Sequence, residues 1–308
     1  MQPFLLINAG SGGGRTQDSI TAVATELNLD HHVVKPGDDF DAVLGAALER
    51  GADLLAAAGG DGTLCAVANV AMDHDMPMVV VPAGTRNHFA LDLGLDLEDP
   101  GGVLRASLSS GFERRVDVGI VNGTTFLNNA SFGMYATAVG TENYRSHKVS
   151  AFAKAAREAL SADKGGQARL SLSAPGTAMI DAGEGTASMM IVNNAYAPTF
   201  AAGGRLRPQL DAGKVWVYFG GGGAHERSAV AGAVHAAGEI VHEEALRGAY
   251  GVDRVVITSD RPEVPVAVDG ELRPDLVAPF EFASRHGALR LVVPADPTPR
   301  TVEVALSW

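Results

Sequence analysis

Several features that identify common classes of protein are scarce or missing in this chain of 308 residues. Its one cysteine, Cys65, cannot form an internal disulfide bond, which favours a reducing compartment. The apolar runs are all shorter than the roughly 20 residues that a membrane-spanning helix needs, and the first residues show no signal-peptide pattern. Lysine and arginine total 24 against 36 acidic residues, and this net charge of -12 argues against nucleic acid as a partner. We therefore expect a soluble, cytoplasmic protein.

The acidic side chains are concentrated in the first part of the chain. Residues 1–120 carry 17 acidic and 7 basic side chains, whereas residues 121–308 carry 19 and 17. A chain of this length commonly forms two domains. We predict a first domain over 1–120, a second over 121–296, and a C-terminal strand over 297–308 that can return to the first.

Hydrophobic periodicity predicts an α/β fold for the first domain. Short apolar runs, such as residues 4–7 and 53–56, alternate with segments whose apolar residues recur at helical spacing, such as residues 20–27. Strands that are apolar on both faces and alternate with helices are typical of a parallel sheet covered on both sides. The first domain should therefore contain such a sheet.

The second domain has a different pattern. Short β-rich runs are separated by Gly and Pro, and the turn signal Asn122-Gly123 predicts a hairpin. Helical spacing occurs near 149–160 and 230–241. We predict a mostly antiparallel β-sandwich with one or two helices, and we expect Asp117 to face solvent on an alternating strand.

Three glycine-bearing loops follow predicted strands of the first domain. They have the sequences NAGSG at 8–12, GGDGT at 59–63 and PAGTRN at 82–87. In an open α/β sheet, ligands bind beyond the carboxyl ends of the strands, and glycine lets backbone N–H groups approach a phosphate closely. One such loop is more often only a tight turn, but three at corresponding strand ends favour a phosphate site.

The standard motifs for other chemistry are incomplete or missing. Residues 10–15 lack the Gly-Lys-Ser/Thr ending of a P-loop and the last glycine of G-x-G-x-x-G. Ser11 resembles the serine of a nucleophile elbow, but Ala9 replaces the first glycine of G-x-S-x-G, which disfavours a serine hydrolase. The histidines and the cysteine do not show the spacing of zinc ligands.

The glycine loops, taken with later blocks, resemble the diacylglycerol kinase and sphingosine kinase family of lipid kinases, in its bacterial form. GGDGT alone is shared with NAD kinases, but its combination with a Pro-x-Gly-Thr-x-Asn block and a late Asp-Gly-Glu is much more specific. The blocks that carry the resemblance run in order along the chain and are residues 8–12, 59–63, 82–90, 93–95, 126–133, 203–208 and 268–271.

The resemblance implies an NAD kinase-like first domain and a kinase that uses ATP and Mg²⁺. Asp61 would act through the magnesium ion and its waters, and Glu271 would be the general base for the acceptor hydroxyl, with Asp61 as its rival. The alternatives are a helix-capping role for Asp61 and Thr63 and a solvent-exposed hairpin position for Glu271. The residues that would hold the nucleotide are Asn8, Ala9, Gly10, Ser11, Gly12, Gly60, Gly62, Thr63, Gly84, Thr85 and Asn87.

The same resemblance implies a lipid substrate at a membrane surface, either diacylglycerol or a related lipid such as a sphingoid base or ceramide. It implies peripheral membrane contact and is compatible with a homodimer. Between Arg145 and Arg169 there are six basic and two acidic side chains, which favours contact with an anionic surface. A solvated helix packed on the second domain explains the same pattern equally well.

Several positions depart from the family's pattern. His88 replaces a usual aspartate, and Cys65 and Ala66 replace the usual Asn and Glu after GGDGT. Ala212 stands where the family has an aspartate of a structural magnesium site, with Asp211 as the nearby carboxylate. These departures keep two alternatives open, an NAD kinase-like enzyme and a non-catalytic nucleotide sensor.

Overall fold

The computed structural model describes residues 2–8, 14–85, 87–133, 170–175, 180–181, 188–196, 206–220, 249–261 and 264–295. The chain divides into two compact units. The first comprises Met1–Val116 and Gly287–Trp308, and the second comprises Asp117–His286. The strand expected over 297–308 and the helices expected near 149–160 and 230–241 lie outside the described residues and stay predictions.

The first unit alternates strands and helices. In chain order its elements are β1 (Pro3–Ile7), α1 (Gly14–Glu26), β2 (Asp30–Val33), α2 (Phe40–Glu49), β3 (Leu54–Gly59), α3 (Asp61–Asp73), β4 (Pro77–Pro82), α4 (His88–Asp92), α5 (Pro100–Ser110), the start of β5 (Phe112–Val121) and the end of β16 (Phe280–Val293). The strands pair in parallel in the order β2-β1-β3-β4-β16. The predicted parallel sheet is confirmed.

Burial on both faces explains why these strands read as continuous apolar runs. All six residues of β3 are buried, so side chains that alternate in direction enter two separate apolar layers. One layer combines Leu54, Ala56 and Ala58 with Ile20 of α1 and Leu104 of α5. Within the described residues, no helix is both long and apolar enough to cross a membrane.

The second unit is built from short antiparallel strands. Besides the end of β5 and the start of β16, its elements are β6 (Thr124–Phe126), β7 (Asn129–Gly133), β8 (Leu170–Ser173), β9 (Ile180–Asp181), β10 (Ser188–Asn193), β11 (Val215–Gly220), β12 (Ala249–Val252), β13 (Arg254–Ser259), β14 (Val266–Val268) and β15 (Glu271–Leu272). One sheet has the order β12-β11-β10-β7-β14-β15. A second group pairs β16 with β13, then β8 and β9, and the hairpin β5–β6 lies on β16.

A shared aromatic core joins these two groups of strands. Phe132 of β7 lies edge-on to Phe280 and Phe282 of β16, with ring centroids 5.1 and 6.0 Å apart. Phe126 of β6 contacts Phe282 in the same way. Edge-to-face pairs add to the free energy gained by burial. Two antiparallel layers around one core confirm the predicted sandwich.

Strand β16 serves both units. Its two apolar runs, residues 280–282 and 289–293, look like separate strands in the sequence, but they form one strand that passes through Gly287 in the left-handed region (φ 58°). Within the first unit, Arg290 donates from Nε and Nη2 to the two carboxylate oxygens of Glu113, both at 2.8 Å. This fork fixes the returning strand and lowers the pKa of Glu113.

Candidate functional site

Three of the predicted site loops leave the same edge of the parallel sheet. Asn8 follows β1 and its N–H donates to Ala58 O of β3 at 2.7 Å. The loops after β3 and β4 follow the neighbouring strands, and Ala83 N donates to Gly59 O at 3.4 Å. The structure therefore brings Asn8, the GGDGT loop and the loop after β4 together. The remaining part of the first loop (Ala9, Gly10, Ser11 and Gly12) lies outside the described residues.

A side-chain hydrogen bond joins the first of these loops to the GGDGT loop. Asn8 Nδ2 donates to Thr63 Oγ1 at 2.9 Å, and Thr63 is only 6% exposed. A Cβ atom on Gly59 would lie 2.7 Å from Thr63 Cβ, so glycine is needed for this packing. The N-cap of α3 is Gly60, which means that Thr63 does not cap the helix as the alternative proposed.

The loop after β4 is closed by one buried side chain. Asn87, 6% exposed, adopts the left-handed conformation (φ 47°). Its Oδ1 accepts from Gly84 N and its Nδ2 donates to Gly84 O, both at 2.8 Å. A Cβ atom on Gly84 would lie 2.4 Å from Gly60 Cα, so the two loops touch backbone to backbone. Asn87 thus shapes the loop, and its contact with a nucleotide stays a prediction.

Asp61 stands at the junction of two helices. It is the first residue of α3 and is half-buried, and its Oδ1 accepts from Phe89 N of α4 at 3.3 Å. It therefore caps a neighbouring helix rather than its own. His88, at the family's aspartate position, begins α4. Gly62 and Thr85, which neighbour this junction in the sequence, are exposed.

The residues at this edge fit a magnesium ion that depends on its substrate for further ligands. A carboxylate is a hard oxygen ligand, and Mg²⁺ in phosphoryl-transfer sites is commonly bound by one or two carboxylates together with substrate phosphates. Asp61 supplies one carboxylate. The described residues contain no cluster of three or more His, Cys, Asp or Glu side chains that could hold a metal alone.

The structural magnesium site that the resemblance implies does not fit the second unit. Asp117 is 1% exposed, which corrects the expectation that it faces solvent. Its Oδ2 accepts from Gly213 N at 2.6 Å, and His286 Nδ1 lies 2.9 Å from its Oδ1. Ala212 has no ligating side chain, and its N–H donates to Asn194 Oδ1 at 3.0 Å. The loop before β11 is thus held in place by its own N–H donors, and Ala212 supplies no side-chain ligand for a metal ion.

Glu271 lies in the second unit, directly after a two-residue hairpin turn. Asp269 (φ 48°) and Gly270 (φ 82°) are both left-handed, and Val268 pairs with Glu271 across the turn. This is the geometry of a type I′ turn, which favours Asp-Gly. Glu271 is exposed as the first residue of β15. The geometry of the turn fixes the backbone from which its carboxylate extends.

Sequence reasoning missed a second role for Asp269. Its Oδ2 accepts from Leu127 N at 2.8 Å, and its Oδ1 accepts from Asn128 N and Asn129 N at 2.9 and 3.0 Å. In the sequence, an Asp before Gly signals only the turn. The carboxylate in fact anchors a bend that is 140 to 142 positions away along the chain, and no local pattern predicts that.

Residues 2–121 match the family model of the diacylglycerol kinase catalytic domain. Among curated proteins, the chain is 41% identical over 107 residues to the diacylglycerol kinase of Bacillus subtilis (strain 168), which covers 33% of this chain and 34% of that protein. It is 33% identical over 148 residues to "Probable lipid kinase YegS-like" of Pseudomonas aeruginosa (strain UCBPP-PA14), which covers 46% of this chain and 48% of that protein. The chain thus spans a third to a half of the length of these relatives.

The fold is shared over almost the whole chain with a solved structure. The crystal structure of a diacylglycerol kinase from Bacillus anthracis str. Sterne superimposes with a TM-score of 0.62 over 95% of this chain and 96% of that chain. The two sequences are 16% identical, so this likeness establishes the two-unit fold alone.

Proposed function

We propose that the chain is an ATP-dependent lipid kinase, from the premise that residues 2–121 match the diacylglycerol kinase catalytic domain family. It transfers the γ-phosphoryl group of ATP to a hydroxyl group of a membrane lipid, diacylglycerol or a related lipid. The two curated relatives described above are named as a diacylglycerol kinase and a lipid kinase, which supports a lipid as the acceptor.

The observation that carries the proposal is the convergence of three loops at the carboxyl edge of the parallel sheet. Asn8 is hydrogen-bonded to Thr63, and Gly84 lies against Gly60. The protein therefore holds its loop backbones rigidly beside the N-terminus of α3, where backbone N–H groups and the helix dipole favour an anion. Phosphoryl transfer depends mainly on positioning and charge neutralisation, which such a rigid edge provides.

The roles of individual residues follow from their chemistry. The nucleotide is held, mainly by backbone groups, by residues 8–12 and by Gly60, Gly62, Thr63, Gly84, Thr85 and Asn87. Asp61 holds Mg²⁺, which when bound neutralises charge on the ATP phosphates. Glu271 takes the proton of the acceptor hydroxyl while the new bond from oxygen to phosphorus forms and the bond to ADP breaks.

Incubation with γ-labelled ATP, Mg²⁺ and a panel of acceptors tests the proposal. The panel contains diacylglycerol, a sphingoid base and ceramide in mixed micelles, and NAD in solution. We expect label in the chloroform phase, dependent on Mg²⁺ and absent without lipid. Label in NADP would instead establish an NAD kinase-like enzyme. Binding of ATP with no labelled product would indicate a nucleotide sensor.

A further inference from the structure

A fully buried arginine occupies the interior of the second unit. Arg207 is 1% exposed and is among the largest fully buried side chains of the described residues. Burying a guanidinium group is unfavourable unless its donors are paired. Its Nη1 donates to Leu127 O and Asn193 O, both at 2.7 Å, and its Nη2 donates to Asn128 Oδ1 at 3.0 Å. Most of these acceptors belong to one short segment.

That segment is the bend 127–129, which follows β6 and ends on the first residue of β7, and all of its backbone polar groups are paired. The three N–H groups donate to the Asp269 carboxylate. The carbonyl of Leu127 accepts from Arg207, that of Asn128 accepts from Asn193 N, and that of Asn129 accepts from Asp269 N. The positive Arg207 thus binds a carbonyl oxygen of the bend, and the negative Asp269 binds its N–H groups. Each charge lies at the end of the peptide dipole that attracts it.

The bend is connected to Glu271 through very few rotatable bonds. Asp269 holds the bend with both its carboxylate and its N–H, and Glu271 follows it after Gly270 in a two-residue turn. A shift of the bend therefore shifts Asp269 and with it the backbone that carries Glu271. We propose that Arg207 is a positioning residue, which places the Glu271 carboxylate by fixing the bend 127–129 and does not itself touch the substrate. This inference rests on the proposed function, since it assigns Glu271 a catalytic role.

The shape of the guanidinium group explains why arginine suits this position. Its planar fork reaches three acceptors in fixed directions, whereas a lysine ammonium group is a single charge on a flexible stem. A lysine can approach one or two of the acceptors but cannot hold all three in register. An apolar residue would leave the buried carbonyls of Leu127 and Asn193 without this donor.

The primary test is Arg207→Lys in the full chain. We expect kcat for lipid phosphorylation to fall about 100-fold, the loss that small displacements of catalytic groups can produce, while KM for ATP stays within about twofold because the first unit is unchanged. Arg254→Lys is the matched control. Arg254 is an exposed arginine of the same unit, paired with Glu281, and its replacement should leave both constants unchanged.

Amide hydrogen exchange provides a second test that does not depend on enzyme activity. Amide hydrogen exchange should become faster at residues 127–129 and 271 in Arg207→Lys and stay unchanged in the first unit. In Arg207→Ala, millimolar guanidinium ion should restore part of the lost kcat by occupying the vacated site, and urea at the same concentration should not. Wild-type kcat in a folded Arg207→Lys, a parallel rise in KM for ATP, or unchanged exchange at the bend would each overturn the proposal.

Two further outcomes are distinguishable. If the Arg207 variants do not fold, Asn128→Ala removes one of the three acceptors and should lower kcat about 10-fold; turnover at the wild-type rate in that variant would overturn the proposal. If the wild-type chain phosphorylates no alcohol, the proposed function fails, but the exchange measurement still shows whether Arg207 fixes the bend that carries residue 271.

Discussion

At the scale of single residues, most polar side chains of the candidate site hold the protein's own loops. Asn8 and Thr63 bond each other, and Asn87 bonds both backbone groups of Gly84. Asp61 differs, because it is half-buried at the sheet edge and, among the described residues, its carboxylate accepts one hydrogen bond, from Phe89 N at the long distance of 3.3 Å. We therefore expect its charge to act on a ligand.

Asp61→Asn removes the negative charge of this side chain but keeps an acceptor for its hydrogen bond with Phe89 N. The amide oxygen of Asn can still accept from Phe89 N, so the link between α3 and α4 should persist and the thermal melting temperature should change little. Loss of the carboxylate should reduce kcat about 100-fold or more and raise the Mg²⁺ concentration needed for half-maximal rate. A magnesium titration of the rate checks this. Near-normal turnover at limiting magnesium would contradict the metal role.

Glu271→Gln tests the base. Gln keeps the size of an exposed side chain on the hairpin, so the fold should not change, but it cannot accept the proton of the acceptor hydroxyl. We expect kcat to fall by about 10² to 10⁴ while ATP affinity, measured by calorimetry, stays the same. Turnover at the wild-type rate, or loss of ATP binding together with activity, would show that Glu271 is not the base.

Which residues cluster could be predicted from the sequence, because parallel strands end at a common edge. How each polar atom is used could not be predicted. The bond between Asn8 and Thr63 joins residues 55 positions apart. Likewise, Asp117 lies on an alternating strand and looked solvent-facing, but it is buried because a loop some 96 positions later donates to it.

At the scale of elements, two glycine loops are fitted to each other. The backbone approach between Gly84 and Gly60 leaves no room for a side chain at 84, where a Cβ atom would lie 2.4 Å from Gly60 Cα and 2.9 Å from Gly60 N. At Gly60 the situation differs, since a Cβ atom there would lie 3.6 Å from Gly84 Cα, an ordinary contact. Position 84 therefore depends on glycine for the contact between the two loops, and position 60 does not.

Gly84→Ala should separate the two loops. The clash is with backbone, so the structure must shift, at a cost of about 1–3 kcal/mol in unfolding free energy, and ATP affinity should fall because the phosphate-binding backbone moves. Chemical denaturation and calorimetric titration measure the two effects. Unchanged ATP affinity in a folded Gly84→Ala would show that the contact does not shape the nucleotide site.

Two matched glycines serve as controls for that substitution. Gly45 lies within α2 with nothing within 4 Å of its would-be Cβ, so Gly45→Ala should stabilise the protein by about 0.5–1 kcal/mol. Gly60→Ala meets no clash, but Gly60 is the N-cap of α3, where alanine is less favourable, so the protein should lose only about 0.5–1 kcal/mol. A loss of ATP binding in Gly60→Ala would then arise from contact with the ligand rather than from the fold.

Periodicity predicted the regular elements of the first unit well and failed where local signals were weak. The strands β1, β3 and β4 were predicted because both faces are apolar. Helix α5 was missed because Gly101 and Gly102 in its first turn lower its helix propensity, although Asp99 caps it through Gly102 N at 2.8 Å. Strand β16 looks like two strands in the sequence because polar residues and Gly287 separate its two apolar runs.

At the scale of the whole molecule, a net charge of -12 opposes contact with an anionic membrane. Screening limits this repulsion to about 10 Å at ordinary salt, so a local cluster of basic side chains can still bind. The segment 145–169 is such a cluster in the sequence, with a net charge of +4. Each basic residue near an anionic surface contributes about 1 kcal/mol, so we expect this segment to recruit the proposed lipid kinase weakly to a membrane.

The double variant Lys148→Glu with Lys154→Glu tests this recruitment. We expect co-sedimentation with phosphatidylserine-containing vesicles to fall sharply, while turnover of lipid in neutral micelles stays unchanged because the nucleotide loops are intact. Raising the salt concentration should reduce wild-type binding in the same way. Reversal of two basic residues elsewhere, the half-buried Lys214 and the exposed Arg254, as Lys214→Glu with Arg254→Glu, changes the net charge equally. Since total charge is then matched, equal loss of vesicle binding in both variants would show that the segment 145–169 is not the membrane contact.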